Sequence, residues 1–141
     1  MKRLPQIALL PDGKRLHLQD GPIDLVIEAK GREGDVRAAY EAAARRFTGL
    51  LDELCEELVE LRRAADPVRC PLKGVVARRM HAAVAPFAAA AFITPMAAVA
   101  GAVAEELIAC YQRDGVSRAW VNNGGDIALH LAPGASVRVG V

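Results

Sequence analysis

The longest regular pattern in the chain is DVRAAYEAAARRFTGLLDELCEELVELRR, residues 35–63. Apolar side chains recur in it at steps of three and four, which is the period of an amphipathic α-helix. The pattern predicts one helix that begins at Asp35 as N-cap and stops before Asp66-Pro67. The charged side chains fall on the opposite face, which we interpret as solvated. The apolar positions are Val36, Tyr40, Ala43, Phe47, Leu50, Leu54, Leu58 and Leu61.

Alternating segments on both sides of this helix predict an antiparallel sheet. Residues 7–29 read as three strands, with turns at Pro11-Asp-Gly13 and Asp20-Gly-Pro22. Residues 119–131 predict a strand, a glycine turn and another strand. Residues 136–141 alternate again, so we expect a last strand that is either a sheet edge or one whose neighbour lies beyond this polypeptide.

Two further helices complete the expected fold. Residues 75–84 resume the helical period until Pro86, and a third helix is predicted from Thr94-Pro95 to about Arg113. The third helix begins with small residues at four-residue spacing, which allow a backbone or a flat ligand to approach closely. We therefore expect one α+β domain, residues 1–141, with an antiparallel sheet and packed helices.

Composition excludes several classes of protein. The 141 residues suffice for one domain, and a net charge of +1 argues against nucleic acid as a partner. A hydrophobic fraction of 52% argues against disorder. Residues 82–104 carry no charged side chain, but Pro86 and Pro95 interrupt them, so we expect a buried segment and no membrane partner.

The three cysteines form no C-x-x-C pair, so we expect reduced thiols in a cytoplasmic protein. His17, His81 and His130 lie in different predicted elements, and each is more typical of a structural or surface histidine than of a catalytic base.

Two local features are candidate ligand sites. The helix start at Thr94 would direct free N–H groups and a positive dipole end at a phosphate or carboxylate. A polar loop follows the predicted fourth strand, where glycines allow close backbone approach and polar side chains offer donors and acceptors. The alternative for that loop is a hairpin turn and nothing more. The loop residues are Asn122, Asn123, Gly124, Gly125 and Asp126.

These two features also carry a family resemblance. FITPMAAVAGAVAE at residues 92–105, VNNGGDI at 121–127 and GPIDLVIEAKG at 21–31 resemble a protein family related to the flavin transferase ApbE. ApbE proteins have a V-N-A-G-G-D-I type motif at their flavin nucleotide site. Asn123 stands where that motif has alanine, while Asn122, Gly124, Gly125 and Asp126 match it.

The resemblance implies an ApbE-like, T-fold-like architecture and a flavin nucleotide, FAD or FMN, as cofactor. ApbE enzymes move FMN from FAD onto a threonine of a target protein with magnesium. The relatives continue past residue 141, and their metal-binding Asp and Thr positions lie in that C-terminal half. The resemblance thus implies an incomplete domain, completed by a second copy or by a separate C-terminal chain; a truncated gene or a fragment is an equal alternative.

Two hypotheses follow. In the first, a flavin nucleotide binds between the Thr94 helix start and the loop of residues 122–126, either as a ligand only or for metal-dependent FMN or nucleotidyl transfer. In the second, the chain is a non-catalytic assembly subunit or a fragment whose open sheet edge pairs with another chain.

Overall fold

A computed structural model of the chain describes residues 3–140 and has an antiparallel sheet at its centre. Its five strands follow one another in chain order, and each is hydrogen-bonded to the next. All of the helices lie in the sequence between the third and fourth strands, so the predicted α+β class is confirmed. The strands are β1 (Gln6–Leu9), β2 (Leu16–Asp20), β3 (Ile23–Gly31), β4 (Val116–Asn123) and β5 (Asp126–Leu131).

One face of the sheet is buried and the other is open. Leu18, Leu25, Ile27 and Val121 are at most 1% exposed and form the core with the helices. Their neighbours in sequence point to the open face, because successive strand residues alternate between faces. The alternation in residues 7–29 therefore predicted both the strands and the side that the helices cover.

The prediction of a single helix over residues 35–63 is wrong. The segment forms three helices, α1 (Glu33–Phe47), α2 (Leu50–Glu56) and α3 (Leu58–Leu61). Gly49 has a φ of 87° and turns the chain between the first two, a conformation that glycine adopts without a steric penalty. Arg32, and not Asp35, is the N-cap of α1. The apolar period continues across the break because the pieces bury the same stripe in one core.

Among the acidic side chains after this break, Asp52, Glu53 and Glu56 are exposed as predicted, whereas Glu57 is half-buried. Both carboxylate oxygens of Glu57 accept backbone hydrogen bonds, from Lys73 N–H at 2.7 Å and Gly74 N–H at 2.9 Å. Gly74 is the N-cap of α4 (Val75–Ala88), so Glu57 fixes the loop before that helix and supplies negative charge at its positive end. This carboxylate therefore has a structural role.

Two other boundaries differ from the expected ones. The helix α4 continues past Pro86, because a proline in the last turn removes only one helical donor. The helix predicted to begin at Thr94 opens as a 3₁₀ turn, Pro95–Ala98. The α-helix α5 spans Val99–Ile108, and another 3₁₀ turn, Ala109–Tyr111, follows it.

The prediction of a last strand is also wrong for residues 136–140, which have no strand structure. Val141 lies outside the described residues. A turn at Pro133-Gly134 moves the chain onto the open sheet face, where Arg118 Nη1 donates to the Ser136 carbonyl at 3.2 Å. Among the described residues, no strand pairs with this segment through its backbone, so its alternating pattern does not produce a strand. Within residues 3–140, no helix is long and apolar enough to span a membrane.

Candidate functional site

The polar loop of residues 122–126 is a two-residue hairpin turn. Asn123 pairs with Asp126, and Gly124 and Gly125 between them have φ values of 62° and 98°. Positive φ at both central positions is the type I′ geometry that suits a twisted hairpin. Asn122 Oδ1 accepts a hydrogen bond from Gly125 N–H at 3.0 Å. The backbone is thus that of the hairpin-turn alternative, and a ligand role for these residues stays a prediction.

Two side chains of this turn meet the start of α5. Asn123 is 8% exposed, and its Nδ2 donates to the Ala100 carbonyl at 3.1 Å. Asp126 lies over Gly101, since a Cβ on that glycine would be 3.9 Å from Asp126 Oδ2. The structure therefore brings together the small-residue helix and the turn, which the sequence had marked as separate features. Asn122, by contrast, is exposed on the open sheet face.

Thr94 is an N-cap with Pro95 directly after it, as the sequence predicted, but the helix that it begins is a 3₁₀ turn. Thr94 precedes the short 3₁₀ turn, its side chain makes no capping hydrogen bond, and its carbonyl accepts from Ala97 N–H at 3.1 Å. One 3₁₀ turn has too few aligned peptide groups to act as the N-terminus of an α-helix. The 3₁₀ turn therefore has a weaker dipole than the predicted α-helix, and a ligand role for Thr94 stays a prediction.

An apolar cleft of about 410 Å³ opens on one side of the α5 start. It lies between the β2–β3 turn, the helices α2 and α3, and residues 96–100, with Asn123 in its lining. The lining thus comes from both sides named in the flavin hypothesis, the segment after Thr94 and the β4–β5 turn. We call it the apolar cleft. Its apolar lining includes Leu51, Leu54, Leu58, Met96 and Val99.

Asn123, Arg3 and Arg62 contribute polar groups to the lining of this cleft. Among the described residues, Asn123 has an acceptor without a donor, and Arg62 has a charge without an ion pair. Because Asn123 Nδ2 is bound to Ala100, the amide orientation is fixed, and Asn123 Oδ1 accepts no hydrogen bond from residues 3–140. Arg62 forms no ion pair within that range, whereas Arg3 binds Asp20 at 3.2 Å and Asp52 at 2.9 Å. Among the described residues, the cleft therefore offers an apolar space, one acceptor without a donor and one cation without an ion pair.

A second cleft, of about 350 Å³, lies on the other side of the same helix turn. We call it the polar cleft, because Arg79, Glu105 and Asp126 line it above Gly101. The Arg79 guanidinium is shared between Glu106, at 3.1 Å, and Glu105, at 3.6 Å. Its charge is thus already neutralised, and a phosphate here would face the Asp126 carboxylate.

Glu106 anchors the wall of the polar cleft. Burial of its carboxyl raises the pKa, but hydrogen bonds from Arg46, at 2.6 Å, and from Arg79 outweigh this, so the pKa of Glu106 is lowered. An ionised Glu106 ties α1, α4 and α5 together through these two arginines. In the part of the chain that the structure describes, no group of three or more His, Cys, Asp or Glu residues is arranged to hold a metal ion.

The thiols are separate, as the sequence predicted: Cys55, Cys70 and Cys110 are all free. Cys55 is exposed and lines the apolar cleft. Cys70 is exposed in a third cleft, of about 250 Å³, which it shares with the buried His81. His81 Nε2 donates to the Asp66 carbonyl at 2.8 Å, which is the structural role expected for a lone histidine.

Sequence reasoning missed the leucine wall and the cation of the apolar cleft. Leu54 and Leu58 belong to the helical stripe that the sequence assigns to the core, and Leu51 and Arg62 were not among the predicted site residues. The turn at Gly49 brings this stripe beside Asn123, so no local sequence pattern identifies these leucines and Arg62 as neighbours of Asn123.

Comparison with known proteins gives a match to a protein family. A family model described as "AbpE bacteria" matches residues 7–141. Apart from Gln6 at the start of β1, this range contains all the strands and helices of the described residues, and apart from Arg3 it contains the linings of the three clefts. No curated protein matches the chain.

Proposed function

The chain belongs to the family described as "AbpE bacteria", and on that premise we propose that it binds a flavin nucleotide, FMN or FAD, in the apolar cleft. The likeness of the family's description to the name ApbE, together with the resemblance of residues 92–105 and 121–127 to ApbE-related motifs, supports the flavin as ligand. The choice of cleft depends on the geometry around Asn123.

The observation that carries the proposal is the Asn123 Oδ1 acceptor in the lining of the apolar cleft, which accepts no hydrogen bond from the described residues. Because Asn123 Nδ2 is held by the Ala100 carbonyl, Oδ1 remains available to a ligand that supplies an N–H group, and such a hydrogen bond contributes about 0.5–1.5 kcal/mol. An isoalloxazine ring is flat, with one such N–H between the two carbonyls of its pyrimidine edge and an apolar dimethylbenzene end. Leu51, Leu54 and Met96 then provide contact surface for the ring.

The phosphate is assigned to Arg62. Its guanidinium lines the apolar cleft and has no carboxylate partner among the described residues, and guanidinium groups bind phosphate through paired N–H donors. The polar cleft is less suitable, because Arg79 there already binds two glutamates. A dinucleotide would extend from the cleft along the surface, since about 410 Å³ accommodates the ring end only.

The proposal covers binding and not the transfer reaction. Transfer of FMN from FAD in ApbE enzymes uses magnesium, and the described donor groups do not fit a metal centre, as no set of three potential ligands converges. We therefore derive no step through magnesium.

Titration of the purified chain with FMN and with riboflavin tests the site. Arg62→Ala is expected to weaken FMN binding by about 10-fold or more, because a charged hydrogen bond contributes about 1.5–3 kcal/mol, and to leave riboflavin binding unchanged. Arg63→Ala is the matched control, since Arg63 pairs with Glu60 and lines a different cleft. Failure of the wild type to bind either flavin, or equal losses for both flavins, would contradict the proposal.

A further inference from the structure

The two edges of the sheet are protected very differently. Pro5 and Pro11 flank the edge strand β1, and prolines hinder the addition of another strand. The opposite edge strand, β5, contains no proline, lysine or arginine, and Asp126 at its start is its only carboxylate. The residues that follow β5 turn onto the open face near Arg118, so within residues 3–140 no strand pairs with its outer edge.

The outward backbone groups of β5 belong to its apolar residues. Ala132 N–H donates inward to the Ser117 carbonyl at 2.8 Å, so the even-numbered residues before it bond to β4. The odd-numbered residues therefore direct N–H and C=O outward. Their side chains are 57%, 44% and 42% exposed on the open face, for Ile127, Leu129 and Leu131 respectively.

We propose that β5 pairs antiparallel with β5 of a second copy of this chain, about a two-fold axis at Leu129. In this register Leu129 faces the partner's Leu129, and Ile127 faces the partner's Leu131. Each outward N–H and C=O of the three residues then has a partner, and all three side-chain pairs are apolar. The pattern is self-complementary, which is what an isologous interface requires.

Charge also favours a second copy. Antiparallel pairing places the two Asp126 carboxylates at opposite ends of the paired strands, so they do not repel each other. On the helix side of the sheet, Asp126 lies diagonal to His130 of the partner subunit and so faces no carboxylate there. The cations of the open face, Lys30 and Arg118, lie on the inner strands β3 and β4 and face no like charge across the axis.

Sedimentation of the full chain over a range of protein concentrations tests this pairing. The wild type is expected to dimerise, and Leu129→Lys to give monomer, because it sets two ammonium groups opposite each other on the axis. Ala8→Lys places the same charge on the open face of the other edge strand and should leave the dimer intact. A wild type that is monomeric throughout, or a dimer that survives Leu129→Lys, overturns the proposal.

A crosslink provides the second readout, in case Leu129→Lys does not fold. Cα atoms of a directly opposed hydrogen-bonded pair are about 5.5 Å apart, within the range of a disulfide. Oxidised Leu129→Cys should therefore yield a covalent dimer, with the bond between the two introduced thiols identified by peptide mass spectrometry. Ala8→Cys is the control and should give no such bond; a Leu129→Cys protein that folds but does not crosslink at this position counts against the two-fold register.

Discussion

Replacing Gly31 with alanine is expected to destabilise the protein by about 3 kcal/mol or more, measured as the free energy of unfolding in denaturant. A Cβ at this position would overlap the carbonyl oxygen of Gly115 and would lie 2.9 Å from the Cα of Val116. Both obstacles are backbone, so no side-chain rotation relieves the overlap. The segments around Gly31 and Gly115 approach this closely because Arg32 N–H donates to the Gly115 carbonyl at 2.7 Å.

Gly34→Ala is the matched control for this substitution. Gly34 lies three residues further along, in the first turn of α1, and a Cβ there would meet no atom within 4 Å. Alanine has the higher helix propensity, so the expected change is a gain of up to about 1 kcal/mol. Equal small effects at the two positions would show that the junction between β3 and α1 is not as tight as described. The same junction is where the β3–β4 register shifts, at Lys30 and Gly31.

The second large effect is expected from Ala100→Leu, which fills the apolar cleft beside Asn123. The larger side chain occupies the space that we assign to the flavin ring, so FMN affinity should fall by about 100-fold or more, which corresponds to ~2.7 kcal/mol. Ala100 is half-buried at the cleft and its backbone carbonyl, not its methyl group, binds Asn123, so the fold is expected to persist. Fluorescence titration measures the affinity, and denaturant unfolding verifies the fold.

Ala97→Leu is the control, because Ala97 is exposed in the preceding 3₁₀ turn and does not line the apolar cleft. It adds the same side chain to the same segment and should leave FMN affinity unchanged. If Ala100→Leu binds normally while Asp126→Ala does not, the flavin occupies the polar cleft instead. The two variants therefore separate the two sides of the α5 start.

The sheet could be predicted from the sequence because strand alternation is local. Leu16, Leu18, Leu25 and Ile27 are buried as their spacing required. The break at Gly49 could not be predicted from the sequence, because the apolar stripe keeps its period on both sides of the turn. A single glycine inside a helical pattern is compatible with a continuous helix, and only packing decides between the two outcomes.

The candidate site was predicted in part. The sequence identified the β4–β5 turn and the small-residue segment before Gly101, and the structure places Asn123 and Asp126 against that segment. It did not predict that the side chains of Asn122 and Asn123 lie on opposite faces of the sheet, or that Arg62 comes near this turn. Such neighbours depend on how α2 and α3 fold back, which no local pattern encodes.

Protection of Cys55 from alkylation tests most directly whether FMN binds in the apolar cleft. Cys55 lines that cleft and Cys70 lines a different one, and both thiols are exposed, so each molecule contains its own control. Labelling rates of the two cysteines are measured by peptide mass spectrometry as FMN is added. We expect the Cys55 rate to fall as the flavin saturates, with the Cys70 rate constant. An unchanged Cys55 rate at saturating FMN, or an equal fall at both thiols, would contradict binding at this site.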